Sequence, residues 1–112
     1  MAEQTEKTDI QHSLDRLYDV IASRKNKTVG DSYTAQLFAG APVKPARKLC
    51  EEATEVLIEA MNDDKIKLAS ESADLLYHLL VVWAAADLDP RDVWQELDSR
   101  QGIPGHVEKQ NR

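Results

Sequence analysis

Ile10, Leu14, Leu17, Tyr18 and Ile21 form the apolar stripe of an amphipathic helix from about Asp9 to Arg24. Residues Asn26 to Asp31, with Gly30, read as a loop, and Ser32 is a cap for a short helix through Tyr33, Ala35, Leu37 and Phe38. Gly40 is expected to end that helix in a left-handed conformation. Pro42 and Pro45 forbid a continuous helix, since neither donates a backbone N–H, but a new one can start near Pro45. It is expected to run to about Met61 and to bury Leu49, Ala53, Val56, Leu57 and Ala60. Asn62-Asp63-Asp64 makes the next turn, with Asp64 capping a helix through about Ala86. Asp89-Pro90 opens the last helix, with Val93, Trp94 and Leu97 inward and Gly102 ending it.

The periodicity therefore predicts an all-α bundle of about five helices in one domain spanning residues 1–112, with flexible tails at 1–8 and 103–112. The fourth helix carries Leu75, Leu76, Leu79, Leu80, Val81, Val82 and Trp83, too much apolar circumference for a small monomer. A homodimer or higher homo-oligomer is the expected way of covering it.

Composition narrows the function classes. Four glycines, four prolines and 5% aromatics agree with the helical reading. A net charge of −6 argues against nucleic-acid and anionic-membrane partners, which need clustered positive charge. The single Cys50 can close no intramolecular disulfide, and the start of the chain has no secretory pattern. The longest apolar run, Leu75 to Ala86, falls short of the ~20 residues that cross a bilayer, so the expected setting is a reducing cytoplasm.

Chemistry concentrates between Lys48 and His78. Residues three apart share a helix face, so Glu52 and Glu55 form one acidic pair and Glu71 and Asp74 another. If the two helices pack antiparallel across their short connection, the pairs converge as an all-oxygen ligand set. Solvated helix surface is the ordinary reading of an acidic pair. Two features weigh against it: like charges at neighbouring helical positions repel, and Asp74 opens onto the most apolar run in the chain. Oxygen ligation points to Mg²⁺, with Mn²⁺ as an alternative, and suits phosphate chemistry. Glu51 is either a general base or a surface residue. Lys48 is either the partner of Glu52 or a phosphate contact; Arg24 and Arg100 are weaker candidates for phosphate. Tyr33 either packs in the core or stacks on a base, and His78 is either a core residue or an orienting group for the substrate.

The run Lys48-x-x-Glu51-Glu52-x-x-Glu55, followed by Glu71-x-x-Asp74, resembles the signature of the all-α nucleotide pyrophosphohydrolases, the superfamily of MazG and the dimeric dUTPases. With Ser32-Tyr33-Thr34-Ala35-x-Leu37, Asp74-Leu-Leu-Tyr77-His78-Leu-Leu and Leu97-x-x-Arg100, it looks most similar to the phosphoribosyl-ATP pyrophosphohydrolases of histidine biosynthesis. The blocks cover most of the chain, from about Leu14 to Arg100. The resemblance implies Mg²⁺-dependent hydrolysis of phosphoribosyl-ATP to phosphoribosyl-AMP and pyrophosphate by a helical dimer whose four-helix core the partner completes. It places the metal on Glu52, Glu55, Glu71 and Asp74 and turns Lys48, Arg24 and Arg100 to the phosphates. Taken with the residue reading, the expected catalytic residues are Glu51, Glu52 and Glu55, and the expected substrate contacts are Lys48, Arg24, Tyr33, His78 and Arg100. Pro45 and Cys50 depart from the family's pattern at the entry to the metal helix without touching the acidic residues.

Two other readings compete. A house-cleaning NTP or dNTP pyrophosphohydrolase would keep the fold and metal and change the substrate. A non-enzymatic helical dimerisation module would use only the apolar face of residues 65–86 and would ignore Mg²⁺.

Overall fold

The computed structural model describes residues 2–26 and 32–102, with side chains from Ser13 onward. Five helices follow one another: α1 (Ala2–Ser23), α2 (Tyr33–Ala39), α3 (Val43–Met61), α4 (Lys65–Ala85) and α5 (Pro90–Arg100). No strand occurs among the described residues, and no helix is long and apolar enough to cross a membrane.

Three side-chain caps start helices where the sequence places them. Ser32 accepts from the Ala35 N–H at 3.0 Å, Asp64 from the Lys67 N–H at 3.0 Å, and Asp89 from the Arg91 N–H at 2.9 Å. The ends of α3 and α4 share a device that the sequence reading missed. Asp63 (φ 55°) and Asp87 (φ 57°) occupy the left-handed region. At the end of α3 the Asp63 and Asp64 N–H groups donate back to the Ala60 and Glu59 carbonyls; at the end of α4, Asp87 and Leu88 donate to Ala84 and Trp83. Aspartate is among the few residues that tolerate this conformation, and both ends are Schellman motifs.

Gly40 corrects the expectation of a left-handed cap. Its φ is −100°, and a β-carbon there would stand 2.7 Å from Lys44 Cβ, so the glycine permits a close approach to the first turn of α3 instead. Two boundaries also shift. α3 begins at Val43, before Pro45, and α1 begins at Ala2, so residues 2–8, expected as a tail, carry helical backbone. Ala2, Glu3, Gln4, Glu6 and Lys7 are good helix formers, which propensity explains and apolar periodicity does not register. The tail expected at 103–112 lies outside the described residues.

The core is built by α1, α2 and α4: Ile21, Leu37, Leu80, Val81 and Ala84 are buried, with Leu14, Leu17, Tyr18, Phe38, Tyr77 and Trp83 packed against them. The Tyr18 hydroxyl donates to the Leu88 carbonyl at 2.9 Å, and the Lys25 ammonium reaches the Ala84 carbonyl at 3.1 Å and Asp87 at 2.6 Å, tying α1 to the end of α4. Trp94 holds α5 edge-on against Trp83, with ring centroids 5.8 Å apart.

On α3 the expected burial fails. Only Pro45 and Glu52 are buried; Leu49 and Val56 are half-buried, whereas Ala53, Leu57 and Ala60 are exposed. Leu57, Ile58 and Met61 on α3 and Ile66 and Leu76 on α4 leave an apolar face open along the hairpin, with Met61 79% and Ile66 84% exposed. The helical period agrees with the structure, but among the described residues no element covers this face.

Candidate active site

α3 and α4 form the most extensive helix pairing in the chain, joined by the turn at residues 62–64. Glu55 lies eight residues before Asp63 and Glu71 eight after it; Glu52 lies eleven before and Asp74 eleven after. In an antiparallel hairpin equal distances from the turn come face to face, so this sequence sets two acidic pairs opposite each other.

The structure brings three of the four together. Glu52, Glu55 and Glu71 each place a carboxylate oxygen within 4.8 Å of the others. Asp74 is exposed and outside that cluster, yet close enough that its charge raises the pKa values of both Glu52 and Glu71. Burial first, and then the Glu55 charge, push the Glu52 carboxyl up. Glu71 is pushed up to about 7, first by hydrogen-bond sharing with Glu55, then by burial and the neighbouring charges.

Two oxygens in this cluster lack what a buried polar atom needs. Glu52 Oε2 and Glu71 Oε2 are shielded from solvent and meet no hydrogen-bond partner. Glu52 is only 9% exposed. Orphaned oxygens, an all-carboxylate donor set and mutual repulsion are satisfied together by one hard divalent cation, so these residues fit the group that the sequence resemblance implies.

Around the cluster, Lys48 pairs with Glu51 at 3.0 Å rather than with Glu52 four residues on. The reason is direction: Glu52 turns into the α3–α4 contact, and Glu51 stays exposed beside the lysine. The Glu51 hydrogen bond is the main reason that the Lys48 pKa is raised, so the ammonium is charged at neutral pH. Tyr33, at the start of α2, lies within electrostatic reach of Lys48, Glu52 and Glu51; burial pushes its phenol up against the opposing effect of Lys48, so it is neutral. Its hydroxyl is 3.2 Å from His78 Nε2.

His78 is buried. Arg24 closes α1 next to Lys25, which contacts Ala84, about 20 Å along α4 from Glu71 at 1.5 Å per residue. Arg100 is on α5, ion-paired with Glu96 at 3.0 Å. The reading from sequence assigned no role to Thr34 or Tyr77, whose hydroxyls are hydrogen-bonded across α2 and α4. The available signal was adjacency: Thr34 follows Tyr33, and Tyr77 precedes His78.

A profile of the phosphoribosyl-ATP pyrophosphohydrolase family matches residues 14–101, which include every helix from within α1 to the end of α5. The chain belongs to the phosphoribosyl-ATP pyrophosphohydrolase family. Among curated relatives, a phosphoribosyl-ATP pyrophosphatase of Azospirillum brasilense is 52% identical over 99 residues, covering 88% of this chain and 89% of that protein. The protein of the same name from Parvibaculum lavamentivorans is also 52% identical over 99 residues, covering 88% and 91%. A third, from Gluconobacter oxydans, is 46% identical over 107 residues, covering 94% of this chain and 80% of its own length. The acidic cluster, Lys48, Tyr33 and His78 all lie inside the segment matched by the phosphoribosyl-ATP pyrophosphohydrolase profile.

Proposed function

We propose that this protein hydrolyses phosphoribosyl-ATP to phosphoribosyl-AMP and pyrophosphate, a step of histidine biosynthesis, at the α3–α4 carboxylates. The observation that carries the reading is the buried, donor-less pair Glu52 Oε2 and Glu71 Oε2 inside a three-carboxylate cluster, in a chain of this family. Glu52, Glu55 and Glu71 are the residues that would hold Mg²⁺, or Mn²⁺ in its place, with Asp74 at the rim. Bound there, the ion would supply charge neutralisation on the polyphosphate and acidify water.

The chain's own residues do the rest. Lys48, charged and beside the cluster, attracts and orients the phosphates. Glu51, exposed on the same helix turn, accepts the proton of the attacking water. The water oxygen bonds to phosphorus while the bridge between the α- and β-phosphorus atoms breaks, and the bridging oxygen leaves with one fragment. The neutral Tyr33 ring offers an aromatic face to the base. Product analysis tests this: one pyrophosphate is expected per phosphoribosyl-AMP, with no orthophosphate. Orthophosphate with phosphoribosyl-ADP would contradict it.

The active form in this reading is a homodimer in the cytoplasm, the second copy covering Leu57, Ile58, Met61, Ile66 and Leu76. Single-chain burial supports it, since these side chains otherwise face water on the hairpin that carries the site. Leu57→Glu with Met61→Glu is expected to yield monomers in sedimentation analysis; an unchanged mass would show that the dimer uses another face.

A further inference from the structure

Tyr33 and Thr34 are adjacent on α2, and Tyr77 and His78 are adjacent on α4. The four side chains meet as two crossing hydrogen bonds, Tyr33 with His78 and Thr34 with Tyr77. His78 is only 6% exposed and has a defined tautomer. Its Nδ1 lies 2.8 Å from the Asp74 carbonyl oxygen, which can only accept, so Nδ1 carries the proton. In the neutral ring Nε2 is then the acceptor, and the Tyr33 hydroxyl donates to it across 3.2 Å. The rings are packed as well: Tyr77 stands edge-on to His78 with centroids 5.1 Å apart, and Tyr33 does so at 6.1 Å.

α2 has seven residues, too few for a helix to be stable alone, so its place depends on what it is fastened to. Leu37 fastens its apolar side to the core. The two polar pairs fasten its first turn to α4 beside the acidic cluster, since the Glu52 charge acts on Tyr33. The Tyr33 ring remains 47% exposed, an aromatic surface whose hydroxyl is occupied from behind.

We propose that His78 is a positioning residue for the nucleotide: it holds the Tyr33 hydroxyl, and with the Tyr77–Thr34 bond it fixes α2 so that the Tyr33 ring forms the wall against which the base rests. His78 itself is buried behind that wall and makes no contact with substrate. This rests on the pyrophosphohydrolase reading above. It predicts that loss of the latch weakens substrate binding and leaves the metal-dependent step intact.

The test compares wild type with His78→Leu, His78→Gln, Tyr33→Phe and the double variant His78→Leu/Tyr33→Phe, using phosphoribosyl-ATP and Mg²⁺. His78→Leu and Tyr33→Phe are each expected to raise KM about tenfold, the equivalent of one net hydrogen bond, with kcat within about twofold. The double variant should be no worse than either single one, because both break the same bond. His78→Gln, which keeps an acceptor, should recover most of the loss. The imidazole ¹⁵N spectrum should show the Nδ1–H tautomer, with the Nε2 signal shifting in Tyr33→Phe, a change that a merely space-filling histidine would not produce. Should His78→Leu fail to fold, the half-exposed Tyr33→Phe with the ¹⁵N spectrum decides alone. Additive losses, a fall in kcat with unchanged KM, or no effect of Tyr33→Phe would overturn the positioning role. A wild-type protein that releases no pyrophosphate would overturn the catalytic reading and this one with it, so the two failures are told apart by the wild-type control.

Discussion

Glu52→Gln is expected to fold like wild type and to lose turnover by on the order of 10³-fold, the scale of removing one preorganised electrostatic group from an active site. The fold should survive because the substitution removes one of three mutually repelling carboxylates and keeps the volume of a buried side chain. Turnover should not, because an amide puts a neutral oxygen and an N–H where a cation would sit. Asp74→Asn, outside the cluster, should lose less, on the order of 10²-fold, through the weaker field it exerts on Glu52 and Glu71. Circular dichroism and initial rates measured together are the check. Near-normal rates in both variants with the fold intact would remove the assignment of the site.

The second large effect is on stability. Glu71 titrates near 7 in the folded chain, above the ordinary 4.5, and Glu52 is raised in the same direction. The folded state therefore binds more protons than the unfolded state between these limits, and stability falls as pH rises from about 4.5 through about 7. Without divalent cations, Tm should decline across this window and level off above it. Adding Mg²⁺ at a hundred times its Kd should restore ~2.7 kcal/mol, roughly 10 °C for a domain of this size. The rescue should strengthen with pH, since the ion must displace the Glu71 proton. Glu71→Gln should flatten the metal-free decline, raise Tm at neutral pH and abolish the Mg²⁺ rescue. A Tm that rises with pH in the absence of metal, or is unmoved by Mg²⁺, would contradict the account of the cluster.

How far the sequence foretold this depends on which interactions are local. Helix starts at Ser32, Asp64 and Asp89 were legible because a cap is a bond to a residue two or three positions on. The convergence of Glu52, Glu55 and Glu71 was legible too, since an antiparallel hairpin maps separation from the turn onto position across it. Burial along α3 was not legible: Leu57 carries the right period, but whether it meets a neighbour within the chain depends on where α1 and α2 fall, and they cover the other side of α4. The pairing of Lys48 with Glu51 escaped for a related reason, because Glu52 is drawn into the helix contact that the local pattern does not specify. The Thr34–Tyr77 bond, 43 residues apart, leaves no periodic trace at all. Family membership was readable because the acidic spacing and the flanking blocks lie together inside residues 14–101, the segment that the family profile matches.

The most direct measurement of the central claim is pyrophosphate release by the purified protein with and without Mg²⁺, offering phosphoribosyl-ATP, ATP and dUTP separately. Release from phosphoribosyl-ATP that requires the metal and is small or absent with the free nucleotides is the predicted result. Equal release without metal would contradict the carboxylate site, and release from ATP or dUTP in place of phosphoribosyl-ATP would contradict the assigned substrate.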